Sequence, residues 1–84
     1  LATLTACAAP APPGPPLPAP AEDTCNATAR AALIGQPATA LERVYILGPV
    51  RIIRPGDAVT MDFSESRINF DLDATDRIVR IFCG

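Results

Sequence analysis

The sequence has no histidine, no lysine and no tryptophan, and all seven of its basic residues are arginine. Without His or Lys, no Ser–His, Cys–His or Ser–Lys nucleophile pair can be assembled within the chain. Three cysteines with no histidine make a poor zinc ligand set, so no metal and no cofactor is expected. Nine acidic residues against seven basic ones leave a formal charge of −2, which lacks the positive field that nucleic-acid binding depends on. No run is long enough and apolar enough to span a bilayer. At 84 residues there is room for one small domain. These absences exclude the common hydrolase chemistries and point to a binding, inhibitory or structural protein, not an enzyme.

What is present is unevenly distributed. Pro10, Pro12, Pro13, Pro15, Pro16, Pro18 and Pro20 alternate with alanine before the first acidic pair, Glu22-Asp23. Proline locks φ and removes backbone donors, so this stretch cannot form a packed core. It reads as a semi-rigid polyproline-type spacer with a reach of roughly 50 Å at full extension. A proline-rich recognition segment is the alternative reading. Residues 24–84 hold every arginine and form the candidate domain. A unit this small buries about 60% of the surface its unfolded chain exposes, so it needs a staple.

The cysteines are Cys7, Cys25 and Cys83. Cys25 and Cys83 bracket the candidate domain and are either bridged or two buried thiols. A bridge would contribute ~4 kcal/mol by loop-closure entropy and would imply an oxidising compartment. Cys7 follows Leu4-Thr5-Ala6. That run resembles the lipobox of bacterial lipoproteins, in which the signal peptide is removed before a cysteine that then carries lipid. The resemblance implies that residues 1–6 are a signal-peptide remnant and residues 7–23 a lipid-anchored linker. It also implies a bacterial cell-envelope location, periplasmic or outer-membrane, with membrane contact through lipid on Cys7. A chance cysteine in a tail is the alternative.

Within 24–84, Asp23 or Thr24 can cap a helix from Cys25 to about Leu33, ended by Gly35. Pro37 suits the start of a second helix reaching Leu47, broken by Gly48-Pro49. Residues 50–54 are a strand by β-branched content. Residues 67–72 alternate polar and apolar, and residues 78–82 form the last strand after a turn at Asp73-Ala74-Thr75-Asp76. The expected fold is α+β: a sheet of about three strands packed against a helix. Leu33, Ile34, Leu41, Val44, Ile52, Ile68, Phe70, Leu72, Val79 and Ile81 are the expected core. Asn26-Ala27-Thr28 fits a glycosylation sequon but reads as a helix start. Asp71, Asp73 and Asp76 lack the Gly and Glu of a calcium loop and read as a solvated turn.

The connection of residues 55–66 is long for so small a domain. It carries Val59, Met61 and Phe63 in alternation, either as an exposed functional loop or as a further buried strand. Gly56-Asp57-Ala58-Val59-Thr60-Met61-Asp62-Phe63, followed by Arg67-Ile68-Asn69-Phe70, resembles the inhibitory loop and supporting strand of the potato inhibitor I type, to which eglin and the barley chymotrypsin inhibitor belong. Ile34-Gly35-Gln36-Pro37, the run from Val50 to Asp62, and Cys83-Gly84 are similar to its bacterial branch of secreted or lipoprotein peptidase inhibitors. The resemblance implies a potato-inhibitor-I-like fold with a long protease-binding loop, acting as a standard-mechanism serine protease inhibitor. By position, Val59, Thr60, Met61, Asp62 and Phe63 are the reactive loop and Met61–Asp62 the scissile bond. An unbranched apolar Met61 favours subtilisin-like or chymotrypsin-like targets over trypsin-like ones. Arg67 would hold the loop on both sides of that bond, at Thr60 and Asp62, with Asn69 and Gly84 beside it. Eglin-like members carry a second supporting arginine where this chain has Asn69, which implies a less firmly held loop. A monomer that binds protease is expected. The alternative is an envelope lipoprotein binding a non-protease partner through the same fold.

Overall fold

The computed structural model describes residues 15–59 and 62–84. Three strands form one sheet: β1 (Val50–Ile53), β2 (Ile68–Leu72) and β3 (Ile78–Cys83), in the order β1-β2-β3. β1 and β2 are parallel, with Val50 opposite Ile68 and Arg51 opposite Asn69. β2 and β3 are antiparallel, joined through a turn at Asp73–Asp76. Parallel neighbours require a crossover of a dozen or so residues. The length of the 54–67 connection is therefore a consequence of topology: the chain must return from the end of β1 to the start of β2.

The central strand supplies half of the buried core. Ile68, Phe70 and Leu72 of β2 are buried with Ile78 and Ile81 of β3 and with Ala27. Leu17, Leu33, Ile34, Ala38, Leu41 and Ile46 pack around them. Ile52 and Val79 are not core residues, being 36% and 38% exposed. For Val79 the cause is a register shift. Asp71 faces Arg80 but Leu72 faces Ile78, so Val79 is the extra residue of a bulge. One inserted residue flips the side-chain alternation, sending Ile78 inward in place of Val79. Ile52 stays partly exposed because β1 is the edge strand.

The expected packing of a true helix on the sheet is not what forms. The segments before β1 are short 3₁₀ helices, at Pro20–Glu22, Thr28–Leu33 and Ala38–Arg43. Their bonds close three residues apart, as from Arg30 N–H to Ala27 O and from Ala40 N–H to Pro37 O. The middle one is kinked at Arg30. The physical reason is length. Gly35-Gln36-Pro37 cuts the region into stretches too short to offset helix nucleation, and the segment after Arg43 is extended from Val44 onward. Asp23 still acts near the first stretch, its carboxylate accepting from the N–H groups of Ala27 and Thr28.

Residues 35–38 lie along the outer edge of β3 instead of continuing a helix. Gly35 N–H donates to Ile78 O, Ile78 N–H to Gln36 O, and Ala38 N–H to Asp76 O. Further along that edge, Ile81 N–H donates to Pro16 O at 2.8 Å. With Leu17 packed on the core, the packed unit extends N-terminally of residue 24. Cys25 and Cys83 form a disulfide across a separation of 58 residues. It ties the chain between the first and second 3₁₀ helices to the end of β3. No helix among the described residues is long and apolar enough to cross a membrane. Cys7 and the residues 1–6 lie outside the described residues.

Candidate functional site

The connection leaves β1 through a turn. Asp57 N–H donates to Arg54 O, and the Asp57 carboxylate accepts from Arg54 N–H. Pro55 followed by Gly56 at φ +84° is the composition that a type II turn requires. Beyond it, Val59 is 46% exposed and Phe63 74% exposed, and Asp57, Ala58 and Asp62 also face solvent. The segment is thus a surface loop and not a fourth buried strand, as far as it is described. Thr60 and Met61 lie outside the described residues.

The loop returns to the sheet through Arg67, whose side chain is only 15% exposed. Its Nε donates to Gly84 O at 2.6 Å, its Nη2 to Asp62 O at 2.6 Å, and its Nη1 to the Asp62 carboxylate at 3.3 Å. One planar guanidinium therefore links a loop backbone carbonyl to the residue following β3. Donation by a charged fork makes these among the stronger hydrogen bonds available to a side chain. Gly84 N–H donates in turn to Arg67 O, which closes a ring between the two residues.

Asn69, one strand position further in, is fully buried. Its Nδ2 donates to Phe82 O and Gly84 O, both at 3.3 Å, and its Oδ1 accepts from Arg51 Nε at 2.8 Å. Every face of this amide is used, as burial of a polar group demands. Asn69 thus acts on the Gly84 carbonyl alongside Arg67. Gly84 sits at φ +145°, and a Cβ there would come within 3.2 Å of the Phe63 ring. A side chain there would push the aromatic back by a few tenths of an ångström.

Arg51 was not singled out from the sequence. It stands opposite Asn69 in the parallel pairing, so a guanidinium reaches this position from β1 although β2 carries asparagine. Only the β1–β2 register could have revealed it. On the same face of the sheet, Arg80 pairs with Asp71 at 3.4 Å and lies over the Phe82 ring at 4.0 Å. Asp23, Cys25 and Cys83 cluster closely, but the two sulfurs are bonded to each other and offer no thiolate for a metal. The Asp73 carboxylate is occupied in its own turn, accepting from Thr75 N–H, the Thr75 hydroxyl and Arg77 N–H.

Residues 62–67 are thus an exposed segment tied to Gly84 by a charged fork. The sequence model of the peptidase inhibitor I78 family matches residues 25–84. The chain belongs to that family. Among similar proteins, an elastase inhibitor of Aspergillus flavus is 36% identical over 53 residues, covering 62% of this chain and 78% of that protein. An elastase inhibitor of Aspergillus fumigatus has the same identity over 53 residues, which is 61% of its own length. The crystal structure of the elastase inhibitor AFUEI superposes with a TM-score of 0.60 at 32% identity, covering 73% of this chain and 96% of that one. The I78 chain is thus a peptidase inhibitor with a protease as its partner, and not an enzyme. The potato-inhibitor-I-like sheet with a packed helix is corrected to a three-stranded sheet with short 3₁₀ helices, similar to AFUEI.

Proposed function

We propose that this I78 chain inhibits a serine protease by the standard mechanism, offering residues 59–63 as a substrate-like segment with Met61–Asp62 as the scissile bond. The observation that carries the reading is the Arg67 fork, which fixes Asp62 on the leaving side of that bond to Gly84. A loop held in place before binding loses little entropy on association, so the complex is tight. After attack on Met61, the new amine of Asp62 stays where it was and can re-form the bond. Met61 enters the specificity pocket, which favours subtilisin-like or chymotrypsin-like enzymes with apolar pockets. Relatives named as elastase inhibitors make an elastase a further target to test.

The test is inhibition of elastase, chymotrypsin, subtilisin and trypsin, with intact-mass analysis for a cut after Met61. The Met61→Lys variant should gain trypsin inhibition and lose it against the apolar-pocket enzymes. No inhibition of any serine protease at micromolar concentration, or selectivity unchanged in the variant, refutes the reading.

We also propose, from Leu4-Thr5-Ala6-Cys7, that Cys7 carries lipid and holds the inhibitor at a bacterial envelope, as in the lipoprotein branch of potato-inhibitor-I-related inhibitors. Mass spectrometry of the protein recovered from membranes should show acylated Cys7. A free Cys7 thiol there refutes it.

A further inference from the structure

The I78 match begins at Cys25, yet the residue before it reaches the segment that returns the loop to β2. The Thr24 hydroxyl donates to Glu65 O at 2.6 Å, across 41 positions. Glu65 lies in the turn that brings the loop back to β2, closed by Arg67 N–H to Ser64 O. We propose that Thr24 is a positioning residue for inhibition, a second tether that holds the leaving-side half of the loop. This rests on the loop mechanism proposed above.

Thr24 can serve as a tether because its own backbone is anchored on both sides. Upstream, Pro16 O accepts from Ile81 N–H and Leu17 packs on the core. Immediately before Thr24, the Asp23 carboxylate accepts from Ala27 and Thr28. Immediately after it, Cys25 is bonded to Cys83, the neighbour of Gly84. Arg67 therefore holds Asp62, and Thr24 holds the chain three residues further on, both referred to the same end of β3. During inhibition the protease serine forms an ester with the Met61 carbonyl and the Met61–Asp62 peptide bond breaks, its nitrogen taking a proton. Religation is the reverse: the Asp62 amine attacks that ester and the serine oxygen leaves with the proton. The reverse step is efficient only while the amine stays oriented at the acyl carbon. A tether at Glu65 limits how far the segment from Asp62 onward can swing. The Arg67 N–H to Ser64 O bond closes this turn from within, and Thr24 adds a hold from outside it.

The test uses the full chain with Thr24→Val and Thr24→Ser. Each is incubated with the inhibited protease, and the equilibrium ratio of cleaved to intact inhibitor and the cleavage rate after Met61 are measured alongside the melting temperature. Thr24→Val is expected to raise the cleaved fraction about 2- to 10-fold, the range that one neutral hydrogen bond supports. Thr24→Ser, which keeps the hydroxyl, is expected to restore the parent ratio, with melting temperatures close together throughout. A Thr24→Val ratio equal to that of the parent overturns the inference. So does a loss that follows a lowered melting temperature and that serine does not rescue. If the parent itself is not cut after Met61, the loop mechanism fails first, and the tether with it.

Discussion

Arg67 concentrates the chemistry of this molecule in one side chain. Its three hydrogen bonds join the loop at Asp62 to Gly84, and no cysteine flanks the loop to do the same covalently. Arg67→Ala leaves Asp62 O and Gly84 O without that donor and frees the loop to adapt to the protease. The expected outcome is inhibition that fades as the variant is cut after Met61, with persistence falling at least ~10-fold, given that charge-assisted bonds contribute about 1.5–3 kcal/mol each. A time course of residual protease activity checks it. Asn69 is the companion case. An asparagine reaches less far than an arginine, but Arg51 donates to it from the neighbouring strand. The position thus still has a cationic donor in its network.

At the scale of elements, the sheet is decided by a single inserted residue. The bulge at Val79 turns Ile78 into the core and leaves Val79 at the surface. Ile78→Ala is expected to cost about 2–4 kcal/mol, and Val79→Ala under ~1 kcal/mol. Denaturant midpoints of the two variants measure this directly, and equal losses would contradict the register. The turn that feeds β3 has a pH signature. The Thr75 hydroxyl and the N–H groups of Arg77 and Thr75, helped by the Arg77 charge, hold the Asp73 carboxyl below its ordinary 3.8, against an opposing effect of desolvation. Asp23 is also lowered: desolvation raises it, but the bonds from Thr28 and Ala27 together outweigh that. A carboxyl depressed on folding stabilises above its unfolded value and loses that contribution as pH falls through the folded one. Stability should therefore decline below about pH 4, and less steeply in Asp73→Asn, as read from melting temperatures across that window.

For the whole molecule, the Cys25–Cys83 bond closes most of the packed chain into one loop. In a domain with so few fully buried residues, its removal is expected to cost ~4 kcal/mol. Replacing both cysteines with serine should lower the unfolding midpoint accordingly. Because Cys83 precedes Gly84, the same change should also weaken inhibition under conditions where the variant remains folded. Calorimetry and inhibition assays at a temperature well below the transition separate the two effects.

The sequence by itself determined the strands and the chemistry that the chain lacks. The missing His and Lys excluded the common nucleophile pairs, and strand positions followed from β-branched runs and alternation, while peptidase inhibition came only from resemblance to a known family. These are local signals, carried by residue type and spacing. Tertiary structure decided the rest. Whether residues 25–47 became α or 3₁₀ depended on competition between short segments and pairing along the edge of β3. Which of Ile78 and Val79 turned inward depended on one bulge. The meeting of Arg51 with Asn69, and of Gly84 with Phe63, depended on strand register and chain closure, because residues far apart in sequence become neighbours only once the backbone has folded.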